Sequence, residues 1–595
     1  MNEFLGKFLV WRVKYVGNKN FVLIISGLVG LLAGLAAVSL KESVHYIQHI
    51  LSVGAQNFNM LITIIYPLVG ILLTVFLTHV ILKIKLGHGI PDILFTIAKK
   101  SGIIERHKTF SSMLSSFLTV GFGGSVGLEA PIVVTGSAIG SNIAQAMSLN
   151  YRQRTLLIGC GAAGAISAIF NSPVAGVLFA IELILSEVTI ASFIPLLISS
   201  VFGYLVSMTL SGKEMLFFFT LKDPFTAYDV PFYMVFGVVC GFVALYFTRV
   251  ITSMEGWLKN KLKGTWERAL LGGLALVGVI FIFPPLYGEG YDTVKALLNG
   301  NEHFMLDKSY FFNDFSSVGV ILLFSLGIVL FKPIATALTG GSGGSSGTFG
   351  PAMVVGGVSG FLFAKLTNLV FWGETISTSN FTLVGMCGVM AAVLRAPLTG
   401  IFLIAEVTSG YTLFVPLMLV AAIAYSTISY FEKYSLYTKS LIEKGDLIKD
   451  DKDRQVLSLI HLNQIIEKDL LTIHPEARLG DLAGLVKVSK RNIFPVVDEH
   501  EKLVGIVTLD DIREIMFDKE SQESINVATL MHPAPASVSS FESMESVMRK
   551  FECSGAWNLP VIDEGKYVGL VSKSRIFNAY RKKLVRQSRE LSNSY

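Results

Sequence analysis

The sequence predicts an all-α, multi-spanning membrane domain built from an internal repeat, followed by a soluble α/β domain pair. Three observations carry that prediction. The 595 residues are 52% hydrophobic and 16% charged, with mean hydropathy +0.59, whereas soluble domains carry about 25% charged residues. Charge is also unevenly spread: residues 1–440 hold 27 Lys+Arg and 20 Asp+Glu, about 11% of that stretch, and residues 441–595 hold 22 and 24, about 30%. Each part, finally, contains its own repeat. A purely soluble globular protein is excluded. The net charge of +5 is small for this length and gives no footprint of nucleic-acid binding. Cys160, Cys240, Cys387 and Cys553 share no metal-ligand spacing, so neither a disulfide scaffold nor a metal site is expected.

The elements follow in chain order. Lys7, Arg12, Lys14 and Lys19 precede the first apolar run, which reads as a retained helix with a cytoplasmic flank. Runs free of Asp, Glu, Lys and Arg recur at 21–40, 43–82, 155–181, 188–212, 230–248, 269–288, 315–331, 333–364, 375–394 and 407–431. About 20 apolar residues span a bilayer, but Gly, Pro and Ser interrupt several of these runs. Non-helical backbone at membrane depth is tolerated only where protein or a water-filled cavity surrounds it. Gly123-Gly124-Ser125-Val126-Gly127-Leu128-Glu129-Ala130-Pro131 returns 220 residues later as Gly343-Gly344-Ser345-Ser346-Gly347-Thr348-Phe349-Gly350-Pro351. Asn171-Ser172-Pro173 with Glu182 returns 224 residues later as Arg395-Ala396-Pro397 with Glu406. Interrupted segments at matching places in two halves point to a transport site; spacing leaves open whether the repeat is inverted. After a polar linker at 441–455, Phe494–Asp511 and Leu559–Arg575 form the second repeat, short β-branched strands flanked by helical pattern. The expected domains are 1–440, 456–516 and 525–585.

Three glycine-flanked turns before proline carry the chemistry: Gly87-His88-Gly89-Ile90-Pro91, the segment around Glu129, and Gly347-Thr348-Phe349-Gly350-Pro351. Proline just inside a helix start leaves free N–H groups at a positive dipole end, which suits an anion. Glu129 is a lone acid in apolar surroundings, and such residues are usually functional. It is placed to compete with an anion for the same amides. The bland alternative is a buried, protonated helix cap. Glu182 and Glu406 read as structural groups within the bundle.

These segments resemble the CLC family of chloride channels and anion/proton exchangers, whose signatures GSGIP, G(K/R)EGP and GxFxP appear here in order as GHGIP, GLEAP and GTFGP. The resemblance implies that Glu129 is the gating glutamate. It implies anion binding by His88, Gly89, Ile90, Thr348, Phe349 and Gly350, and by the hydroxyl of Tyr437, for which an interfacial anchor is the alternative. Two departures stand out. His88 replaces the usual Ser, which puts chloride preference in question and adds a pH-sensitive group. Leu183 stands where exchangers commonly carry a proton-relaying Glu, with Glu187 about one turn further on. The reading is a channel-like pathway for chloride or a related small anion; the alternative is an anion/proton exchanger of the same family. A regulated cation channel is disfavoured, because cation pathways want acids or carbonyls.

The tail resembles a pair of CBS domains, which implies an adenine nucleotide at Thr508, Asp511, Ser572 and Arg575, or a purely structural pair. No enzymatic motif appears, and no cofactor is required. The resemblance further implies a lipid-embedded homodimer with both termini cytoplasmic.

Overall fold

The computed structural model describes residues 12 and 14–592, except 59, 85, 86, 88, 186–189, 213–224, 308, 313–316, 372–374, 409, 444–459, 461 and 490. The chain divides into two units, Met1–Leu447 and Ile448–Tyr595.

The first unit is helical. Its order is α1 Asn18–Phe58, α2 Met60–Phe76, α3 Ile90–Lys99, α4 Lys108–Gly121, α5 Glu129–Ala146, α6 Tyr151–Phe170, α7 Pro173–Phe179, α8 Ile190–Leu210 and α9 Val230–Lys261. It continues with α10 Thr265–Ile282, α11 Tyr291–Leu298, α12 Val318–Gly341, α13 Phe349–Val370, α14 Thr378–Leu394, α15 Pro397–Val407, α16 Phe414–Phe431 and α17 Leu436–Glu443. Among the described residues, nine helices are long and apolar enough to cross a membrane. Leu323, Ile24 and Val235 point outward from them, as lipid-facing side chains do.

The repeat is legible in how helices begin, end and touch. α6 opens on a capping box between Asn150 and Gln153 and stops at Asn171, φ 56°; its counterpart α14 stops at Arg395, φ 61°. Both residues adopt the left-handed conformation that ends helices. α5 meets α6 at Gly136 and Gly161, and α13 meets α14 at Gly356 and Gly385; a Cβ on any of the four would strike the facing backbone. Small residues at such crossings let membrane helices approach closely.

Contacts between the halves are reciprocal. The Ser125 amide donates to Thr339 Oγ1 (3.2 Å) and the Ser345 amide to Thr119 Oγ1 (3.0 Å); Ser125 and Ser345, like Thr119 and Thr339, are counterparts 220 residues apart. Glu182 accepts from the Leu398 and Thr399 amides (3.0 and 2.8 Å) and the Thr399 hydroxyl (2.7 Å). Glu406 accepts from the Val174 and Ala175 amides (3.0 and 2.9 Å). Each acid therefore satisfies the free N–H groups at the start of the other half's proline-led helix, α15 or α7. When i touches j and j's counterpart touches i's, the two parts are related by a two-fold.

The second unit contains α18 Leu479–Val488, β1 Ile493–Val497, β2 Leu503–Thr508, α19 Leu509–Ile512, α20 Lys519–Ser524 and α21 Val527–Leu530. It ends with α22 Met544–Ser554, β3 Asn558–Asp563, β4 Lys566–Ser572 and α23 Lys573–Ser592. β1 pairs antiparallel with β2 and β3 with β4, each with one register shift, at Val496/Val497 and Val561/Ile562. A third segment joins each hairpin from outside its repeat: Glu467 bridges to Leu570 on β4, and His532 to Ile506 on β2. Two apolar cores result, one around Phe494 and Leu482, the other around Phe551 and Val561.

Candidate anion pathway

Three helix starts meet in the first unit. The N-cap residues of α3, α5 and α13 are Gly89, Leu128 and Thr348, and none supplies a side-chain cap to its helix. Their leading amides are thus left for other acceptors. Gly89 has φ 75°, ψ −126°, a conformation that favours glycine. A Cβ there would lie 3.5 Å from Ala130 Cβ and 3.6 Å from the Ser346 carbonyl. The loops before α5 and α13 are pinned together by the Gly127 amide donating to Gly347 O at 3.0 Å.

Glu129 stands at this junction, 2% exposed. Its Oε1 accepts from the Tyr291 hydroxyl, and its carboxylate accepts from the Gly350 amide. Oε2 has no partner among the described residues. The carboxylate therefore occupies an amide that an anion would also seek. A Cβ at Gly350 would lie 2.7 Å from the Tyr291 hydroxyl, so glycine there keeps the approach open.

Thr348 Oγ1 donates to the Tyr437 hydroxyl at 3.2 Å, and both residues are buried. The Phe349 ring packs against Phe170 and Phe179 with centroids 5.5 and 6.1 Å apart, which fixes the start of α13. Ile90 is buried in the same core as Tyr437. Gly89, Ile90, Glu129, Thr348, Phe349, Gly350 and Tyr437 thus come together from four elements. His88 lies outside the described residues, as does Glu187; Leu183 is buried. Beside Gly89 a small pocket is lined by Asp92, Lys108, Ser111, Ser115 and Ser346, with Lys108 Nζ 3.0 Å from Asp92.

Tyr291, Glu289 and Lys332 belong to this neighbourhood and were missed by sequence reasoning. The Leu128 amide donates to Glu289 Oε1 at 3.2 Å. Lys332 Nζ donates to the carbonyls of Gly288 (2.8 Å) and Leu286 (3.3 Å). A signal existed: Lys332 is the one charge in α12, wedged between the charge-free runs 315–331 and 333–364.

Residues 70–429 match the family described as voltage gated chloride channel, and residues 462–518 and 527–582 match CBS domains. The chain belongs to the voltage-gated chloride channel family. Its relatives include the H(+)/Cl(-) exchange transporter ClcA of Vibrio cholerae, 26% identical over 67% of this chain and 84% of that one. Chloride channel protein CLC-f of Arabidopsis thaliana is 25% identical over 84% of this chain and 70% of that one. In fold, the first unit resembles a slow cyanobacterial Cl-/H+ antiporter, with TM-score 0.62 and 22% identity, covering 72% of this chain and 98% of that one. A eukaryotic CLC transporter aligns with TM-score 0.60 and 20% identity over 93% of this chain and 97% of that one. The chain is a multi-pass integral membrane protein with a C-terminal CBS pair.

The four tail residues occupy matching turns in this CLC protein. Asp511 accepts from the Thr508 amide and hydroxyl (both 2.7 Å) and pairs with His532 Nε2 at 3.0 Å. Ser572 donates to Glu467 Oε1 (2.9 Å) and accepts from the Arg575 amide (3.2 Å). Glu467 is 6% exposed and also pairs with Arg491. Burial pushes the Asp511 carboxyl up, but the Thr508 donors and His532 outweigh it and hold it below the usual carboxylate range.

Proposed function

We propose that this protein exchanges chloride or a related small anion for protons across a membrane, with Glu129 as the gate. The observation that carries the reading is the Glu129 carboxylate seated on the Gly350 amide where three uncapped helix starts meet. When Glu129 is protonated it no longer competes for that amide as a charge, and an anion can take its place. Gate and proton carrier are then one group. Thr348, Phe349, Gly350, Gly89 and Ile90 are the proposed anion-side residues, with Tyr437 and Thr348 closing one end through their hydrogen bond; His88, next to Gly89 in sequence, is proposed with them from the sequence alone. Relatives named as H(+)/Cl(-) exchangers support exchange over a channel. Leu183 favours the channel reading, since its side chain cannot relay a proton, and Glu182 beside it is already engaged as a cap for α15.

We assign the tail a regulatory role with Thr508 and Asp511 as its nucleotide-facing residues; Ser572 and Arg575 are the weaker pair, because the Ser572 hydroxyl is already engaged by Glu467 and Arg575 stands where the first repeat has an acid. The proposed assembly is a lipid-embedded homodimer with cytoplasmic termini. The test is reconstitution in liposomes with anion and proton flux recorded together. An exchanger reverses at a potential set by both gradients. A reversal potential that follows the anion gradient alone would establish the channel instead.

A further inference from the structure

The turn Gly288-Glu289-Gly290 is held from two sides. Its Gly288 amide donates to the Gly123 carbonyl at 2.9 Å, in the loop leading to α5. Its Gly288 carbonyl accepts from Lys332 on α12 at 2.8 Å. Lys332 is fully buried, 0% exposed. Held in this way, the turn delivers two side chains to one place. Glu289 accepts from the Leu128 amide at 3.2 Å, and Tyr291 donates to the carboxylate of the next residue, Glu129. Two carboxylates from distant parts of the chain are thereby fastened at adjacent backbone positions.

A loop needing only to satisfy one amide has no use for an acid here, since Asn or Ser would serve. Placing a second carboxylate beside Glu129 costs free energy whenever both are ionised. The ammonium groups of Lys332 on α12 and Lys41 on α1 offset part of that cost for Glu289. These two lysines, Glu129 and the Tyr291 hydroxyl are the charged and titratable groups that act on Glu289 or sit beside it. Two such acids favour holding one proton between them.

We propose that Glu289 passes protons to and from Glu129, with Tyr291 as the positioning residue that aims the receiving carboxylate. The proton leaves the Glu289 carboxyl and arrives on a Glu129 oxygen. Glu129 becomes the neutral acid and releases the Gly350 amide, and Glu289 is left as the anion within the electrostatic influence of Lys332 and Lys41. Nothing is oxidised or reduced. The proposal rests on the exchange reading above and adds a second carboxylate to it.

The test uses the full-length protein in liposomes, with chloride and proton flux measured together across a pH series on each side, for wild type, Glu289→Gln, Glu289→Asp and Glu129→Gln. A positioned proton-transfer group contributes roughly 10²–10⁴-fold. Glu289→Gln is therefore expected to lower the proton-to-anion flux ratio by about tenfold or more and to remove one limb of its pH profile, with Glu289→Asp restoring most of it. A ratio and pH profile identical to wild type in Glu289→Gln, while Glu129→Gln uncouples, overturns the Glu289 role and leaves the gate intact. Unchanged coupling in Glu129→Gln overturns the gate itself. A second readout does not depend on flux. The pH-difference infrared spectrum of the wild type is expected to contain a protonated-carboxyl band that Glu289→Gln lacks; identical spectra would show that Glu289 takes up no proton.

Discussion

Lys332 places an ammonium in the middle of a 24-residue apolar helix, where a charge is tolerated only if it meets polar groups. It meets two buried carbonyls rather than a carboxylate at contact distance. Lys332→Met preserves bulk but leaves the Leu286 and Gly288 carbonyls without a donor, at about 1–3 kcal/mol for each such group. The detergent-solubilised variant should melt at a clearly lower temperature than wild type. An unchanged melting temperature would show that those oxygens find other donors. The contrast with Glu129 shows what could be read in advance. Glu129, Thr348, Phe349 and Gly350 could be picked out as candidates because each sits in a segment whose glycines and prolines mark a helix start, whereas Tyr437, with no Gly or Pro near it, came from the family resemblance alone. Tyr291 and Glu289 were not, because their meaning comes from partners 162 and 161 residues away. No local pattern distinguishes them from an ordinary loop.

Elements are tied across the two halves by groups that look redundant in sequence. Glu182 and Glu406 were read as structural groups in the bundle; the structure gives each a specific task at the far helix start. The two tasks differ in size, because Glu182 collects three donors and Glu406 two. Anion–dipole and cap interactions of this kind contribute about 0.5–2 kcal/mol. Glu182→Gln should cost more stability than Glu406→Gln, and equal losses in denaturant unfolding would count against the cap assignment. In the tail, the turn at Thr508 adds a pH dependence. Asp511 titrates below its ordinary value of 3.8 in the folded state, so its stabilising contribution is complete above that pH and drains away as pH falls through the folded value. Asp563 is likewise held low, by the side chain and amide of Ser540. Hydrogen exchange across residues 505–535 of the full chain, corrected for intrinsic rate, should lose protection below about pH 4. Asp511→Asn should flatten that acid limb; a variant with the wild-type acid limb would remove Asp511 from its cause.

At the scale of the whole molecule, both units use one construction: two repeats, each completing the other. In the membrane unit, threonines and glutamates of one half satisfy amides of the other. In the tail, Glu467 and His532, 65 residues apart, each bridge to the hairpin of the opposite repeat. The repeats were plain in the sequence, but this exchange was not, since spacing alone does not say which half a cap serves. The same construction makes each unit internally complete. The two apolar clusters of the first unit draw only on residues up to Tyr437, and the two of the second begin at Ile460. The seven described residues assigned to the anion pathway all lie in the first unit. Ending the chain at Leu447 therefore removes neither the described membrane core nor the described pathway residues. The truncated protein should insert and carry the anion in liposomes, with expression as the quantity most at risk. Any nucleotide dependence of the full chain should vanish with the tail. Truncated protein that is inserted and folded, as judged by circular dichroism and gel filtration, yet passes no anion would show that the tail contributes to the pathway itself.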